Sequence, residues 1–83
     1  MMMKKNDYMA IIIKNHLETL GPGKHLLKSS DARKLHGMDN YASNTCYKNV
    51  CLAMDKVAKQ YHEGKALNNN NQSSTYEYEY IIK

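Results

Sequence analysis

Lys48, Asn49, Lys56 and Lys59 recur at intervals that put them on one side of a helix, because successive helical residues advance about 100° around the axis. Thr45 and Leu52 fall on the same side. Tyr47, Val50, Met54, Val57 and Tyr61 fall on the opposite one, stepping alternately three and four residues. Such a helix buries one face and offers lysines, an amide and a hydroxyl on the other. Asp55 sits only on the flank of that face. Ammonium groups there suit phosphates. Asn49 has the paired donor and acceptor that an adenine edge demands, and Lys48 the donors that guanine accepts. Residues early in the helix would read bases, and Lys56 and Lys59, later in it, would meet backbone phosphates. The same pattern also fits a solvated lysine face, or one that docks an acidic protein.

Other chemistry is sparse. Cys46 and Cys51 lack the spacing of a zinc pair and diverge around the helix, so a disulfide between them is not expected. Both border the apolar side and read as small core residues, with a reactive thiol at Cys46 as the sharper alternative. His16, His25, His36 and His62 are scattered, and Asp31, Asp39, Asp55 and Glu63 stand singly. No metal site, cofactor or catalytic constellation can be nominated, and an enzyme is not expected. Gly21-Pro22-Gly23-Lys24 is glycine-rich but follows a helix and lacks P-loop spacing, so it reads as a corner between helices.

The elements that must position the lysine face follow from capping and periodicity. Asp7 suits an N-cap, and Met9, Ile13, Leu17 and Leu20 give an apolar stripe that Gly21-Pro22 ends. The first helix is therefore expected at 7–20, after an arm at 1–6. A short second helix is expected at 29–36. Ser29 or Ser30 would cap it, Ala32 and Leu35 would face inward, Arg33 and Lys34 outward, and Gly37 would end it. The third helix is expected at 44–62, capped by Ser43-Asn44 and stopped by Gly64. The tail changes period. Thr75-Tyr76-Glu77-Tyr78-Glu79-Tyr80-Ile81-Ile82 alternates as a strand does, with the tyrosines on one face and Glu77 and Glu79 on the other. The Asn68–Ser74 run reads as a loop, and residues near Lys65–Leu67 as the pairing strand of a hairpin at 63–82.

Three helices and then a hairpin make an α+β domain that resembles the winged helix-turn-helix superfamily. The likeness runs from Asp7 to Ile82 and lies in element order, lengths and faces. In the superfamily's tightest form a glycine follows four residues after a small residue of the second helix, whereas Ala32 and Gly37 are five apart. The resemblance implies binding of double-stranded DNA, with helix 3 in the major groove, in the service of transcription regulation. Its DNA-facing residues would be Ser29, Ser30 and Arg33 at helix 2, then Ser43, Asn44, Thr45, Lys48, Asn49, Lys56 and Lys59 at helix 3. Lys65, Asn69 and Asn70 of the wing would join them. Ser29 and Ser30 would offer backbone N–H groups to a phosphate. Relatives of this kind commonly pair through helix 1 and terminal segments, which points to Met3, Ile11 and Ile12 as a homodimer interface. The alternative is a protein–protein module on the same scaffold.

Composition agrees with a small binding domain. The 83 residues carry 12 basic against 8 acidic side chains, a net charge of +4 that favours anionic partners. A chain this short can barely wall a deep pocket. The longest apolar run, Tyr8–Ile13, is far short of a membrane span. The basic start lacks a small-residue cleavage site, so no secretory leader is expected and the protein is read as cytoplasmic.

Overall fold

The computed structural model describes residues 4–42 and 47–83. These described residues form an α+β domain of three α-helices and a three-stranded antiparallel sheet. Its elements are α1 (Lys5–Thr19), β1 (Gly23–Lys28), α2 (Ser29–Arg33), a 3₁₀ turn (Met38–Asn40), α3 (Lys48–Gln60), β2 (Glu63–Ala66) and β3 (Glu77–Ile82). No described helix is long and apolar enough to cross a membrane.

The first helix begins before the expected Asp7. Lys4 is the extended N-cap residue, and Asp7, in the first turn, accepts the Lys4 backbone N–H at 3.0 Å. A carboxylate at the third helical position can satisfy an orphan N–H by reaching back, as well as by capping forward. Met9, Ala10, Ile13 and Leu17 form the buried stripe. Gly21, at φ +85°, turns the chain out of the helix.

The glycine-rich corner does not lead straight to α2. Gly23–Lys28 is a strand, paired with β3 from Gly23 opposite Ile82 to Lys28 opposite Glu77. Sheet order is β1-β3-β2, so β3 is central and has two partners, not only the expected segment before the Asn run. The Lys24-His25-Leu26-Leu27-Lys28 stretch is too short to declare its period. Its strand character comes from a partner at the far end of the chain.

The second helix is only five residues long and ends at Arg33, short of the expected residue 36. Gly37 then adopts φ +94°, and a Cβ there would lie 3.3 Å from Ile12 Cδ1. The following Met38 is fully buried. The third helix is also trimmed, to Lys48–Gln60 against an expected end at residue 62. The N–H groups of Tyr61 and His62 both turn back to the Val57 carbonyl, and Glu63 enters the sheet opposite Ile81.

The core joins Met9, Ile13 and Leu17 of α1, Val50, Met54 and Val57 of α3, and the inner face of β3. That face carries Tyr78, Tyr80 and Ile82, all buried, with buried Tyr76 just ahead of the strand and Glu77 and Glu79 on the other side as the alternation requires. Buried tyrosines need hydroxyl partners. Tyr80 donates to the Met54 carbonyl at 2.8 Å, and Tyr76 and Tyr78 donate to the same oxygen of Asp55, at 2.6 and 2.8 Å. Gly64 faces the Tyr80 ring so closely that an added Cβ would lie 2.7 Å from Tyr80 Cδ1. At the other end of α3, His62 Nε2 meets Glu18 Oε2 at 2.8 Å, and Lys14 reaches the same carboxylate. Those contacts hold the Glu18 carboxyl below its ordinary pKa, His62 more than Lys14.

Candidate nucleic-acid interface

Burial of Val50, Cys51, Ala53, Met54 and Val57 fixes how α3 is rotated. Lys48 and Lys59 are left exposed, Asn49 half-buried, and Leu52 43% exposed between them. Tyr61, expected on the buried side, lies at the helix end and stays 39% exposed, with Lys14 Nζ 5.7 Å from its ring centroid. A shallow groove of about 220 Å³ runs along this side, bounded by Asn6 of α1 and by Leu52, Asp55, Lys56, Lys59 and Gln60 of α3, so one acid of the helix itself borders it.

Lys56 differs from its neighbours. It forms an ion pair with Asp7 of α1 and is about three-tenths exposed. An acid therefore does reach the lysine arc, from another helix, where spacing within helix 3 could not reveal it. The Lys56 ammonium, with help from the Lys4 backbone N–H, holds the Asp7 carboxyl below its ordinary pKa. Any phosphate approaching Lys56 competes with that carboxylate.

Three assignments at α2 are corrected. Ser29 is fully buried, and its Oγ donates to the Ser73 carbonyl at 2.5 Å. Its backbone N–H goes to the Tyr76 carbonyl at 2.7 Å, and that of Ser30 to the Ser74 carbonyl at 3.2 Å. The donors expected to hold a phosphate are thus spent joining α2 to the chain leading into β3. Arg33 faces inward, 7% exposed, with Nη1 2.6 Å from Asp39 Oδ1. Its expected outward position fails because the short helix turns this residue towards the 3₁₀ turn. Lys34 beside it is exposed.

The loop between β2 and β3 is exposed at Asn69 and Asn70 and is internally tied. Asn68 Nδ2 donates to the Thr75 carbonyl, Asn70 N–H to Asn68 Oδ1, and Asn70 Nδ2 to Thr75 Oγ1, each at 3.0 Å. Lys65 is exposed and lies 3.8 Å from Glu79. Ser43, Asn44, Thr45, Cys46 and Met3 lie outside the described residues. Of the proposed dimer residues, Ile12 packs against the core beside Gly37, and Ile11 is half-buried.

Asp55 was not singled out by the sequence except as a flank residue. The signal was present in the three alternating tyrosines, whose hydroxyls require acceptors somewhere on the surface they cover. Burial, and next Asp55, push the Tyr78 hydroxyl up to about 12. Tyr76 and Tyr80 rise as well, in both cases chiefly through burial. Cys51 is buried, with its thiol raised by desolvation, in keeping with a packing role. Among the described residues no group of three or more His, Cys, Asp or Glu is placed to hold a metal ion.

Comparison of the chain with protein-family models, with curated proteins and with solved structures finds no match.

Proposed function

We propose that this protein binds double-stranded DNA through the outward face of α3, as a small regulator of transcription with a winged helix-turn-helix architecture. The observation that carries the reading is the rotation of α3. Its apolar residues are buried so that Lys48, Asn49, Leu52 and Lys59 point outward together. The hairpin that follows α3, with Lys65 and the exposed Asn69 and Asn70 beside it, supports the resemblance to winged helices. The net charge of +4 supports an anionic partner.

In this reading Lys48 and Asn49, at the start of α3, approach base edges, and Lys59, near its end, anchors to phosphate. Ser29 and Arg33 hold the scaffold instead of touching DNA. Lys56 contributes only after exchange from Asp7. The test is fluorescence anisotropy with labelled random duplexes over a series of salt concentrations. Binding should weaken log-linearly with salt, with a slope of about −2 to −4 for a few lysine–phosphate contacts. Absence of duplex binding at low salt would remove the proposal and favour docking of an acidic protein partner on the same face.

A further inference from the structure

We propose that the outer face of the sheet is a self-complementary surface through which two copies of this chain pair. This inference does not rest on DNA binding. The register sets Lys28 beside Glu77, Leu26 beside Glu79 and Lys65, and Lys24 beside Ile81 and Glu63. Leu67 completes the first row, because its N–H donates to the Glu77 carbonyl at 2.8 Å. The face thus holds lysines and glutamates in equal number, three of each by this register, around apolar residues. Leu26 is 62% exposed and Leu67 42%. A hollow of about 190 Å³ lies over Ile81 between Lys24 and Lys65.

The arrangement of these charges selects the partner. The chain carries +4 overall, so a second copy is repelled by most of its surface, and most of all by the α3 lysines. The outer sheet face sums to zero and does not repel its like. A two-fold axis lying in this face, through Glu79 and at about 45° to the strands so that it passes close to Lys24 and Leu67, exchanges Lys28 with Glu63, Glu77 with Lys65, and Leu26 with Ile81. Each exchanged charge meets its opposite, the two exchanged apolar side chains meet each other, and Leu67 meets its own counterpart. A two-fold contact must be self-complementary in this sense. Strands of the two copies then cross nearly at right angles, one of the two established ways for sheets to stack. An axis along the strands would instead set Glu77 and Glu79 on their own counterparts. An axis across them would set Lys28 on Lys24 and Lys65 on itself. On the diagonal only Glu79 and Lys24 face their own kind. Lys65 already neighbours Glu79, and Lys24 lies at the rim.

Three strands and three rows span only about 10 by 14 Å between Cα positions. That is well below the roughly 800 Å² per partner of a standard stable interface, so the pairing is weak, with a dissociation constant on the order of 10⁻⁴ M.

The experiment is sedimentation equilibrium of the full chain from about 10 μM to about 1 mM, the range that brackets such an affinity. Lys28→Glu and Glu63→Lys are surface changes that leave the core alone. Each alone should weaken self-association about tenfold, since two attractive contacts per dimer become repulsive. An equimolar mixture of the two variants should associate at least as tightly as the wild type, because each reversed side chain then meets the other. Leu26→Asp should leave only monomer. A wild type that stays monomeric throughout overturns the proposal. So does a mixture that associates no better than its separate components, or a dimer lost on Ile11→Glu but indifferent to all three sheet substitutions.

Discussion

Replacing Asp55 by alanine removes the one carboxylate oxygen that accepts both the Tyr76 and the Tyr78 hydroxyls. Both tyrosines are buried, and the contact between their two hydroxyls can satisfy only one of the two donors once the carboxylate is gone. A hydrogen bond to a charged group contributes about 1.5–3 kcal/mol, and a buried hydroxyl left unpaired costs about 1–3 kcal/mol. Asp55 is itself half-buried, so water recovers part of this and the loss should be about 2–4 kcal/mol for the pair. A domain of this size has a total stability of about 4–12 kcal/mol, and the melting temperature should fall by about 8–30 °C. The assay is urea unfolding followed by circular dichroism, read as a cycle. With Tyr76→Phe and Tyr78→Phe already present there is no hydroxyl to strand, and adding Asp55→Ala should cost under about 1 kcal/mol. A cost below about 0.5 kcal/mol in the wild-type background, or an equal cost in both backgrounds, would refute the view that Asp55 locks the central strand to α3.

The same tyrosines set the alkaline limit of the fold. Tyr78 titrates near 12 in the folded chain and near 10 when unfolded. Its contribution is complete below the unfolded value and is lost as pH rises through the folded one, because only the unfolded state releases the proton in between. Unfolding monitored by tyrosinate absorbance should therefore steepen between those values, and Tyr78→Phe should flatten it. Gly64→Ala forces a methyl group against the Tyr80 ring and should destabilise by about 1–3 kcal/mol in the same urea assay. Asp7→Asn frees Lys56, so affinity for random duplexes should rise and the salt slope should steepen by up to about one unit; equal slopes would show that Lys56 never engages phosphate. Asn49→Ala should cost about 1–3 kcal/mol on a preferred duplex, selected beforehand from random sequence, and narrow the gap to random duplex.

The strongly patterned elements were legible in the sequence. The alternating Tyr-Glu tail declared a strand with its tyrosines inward, and the three-four stepping of Val50, Met54 and Val57 declared the rotation of α3. What was not legible depended on partners distant in sequence. β1 is a strand only because β3 pairs with it, and nothing local in Lys24–Lys28 says so. The inward turn of Arg33 and the burial of Ser29 follow from contacts with Asp39 and Ser73. Helical spacing placed Lys56 correctly on the outward arc of its own helix. It could not foresee that Asp7 of another helix would come to meet it.

The measurement closest to the central claim is the salt slope of duplex binding for a variant with both Lys48→Ala and Lys59→Ala. Neither side chain contributes to the core, so the circular dichroism spectrum and urea midpoint should match the wild type. If the outward face of α3 meets DNA, the slope should fall by about two units, and affinity at low salt should fall at least tenfold on every duplex. Wild-type affinity and slope in this variant would contradict the account, because the protein would then bind DNA elsewhere and the α3 lysines would only face water.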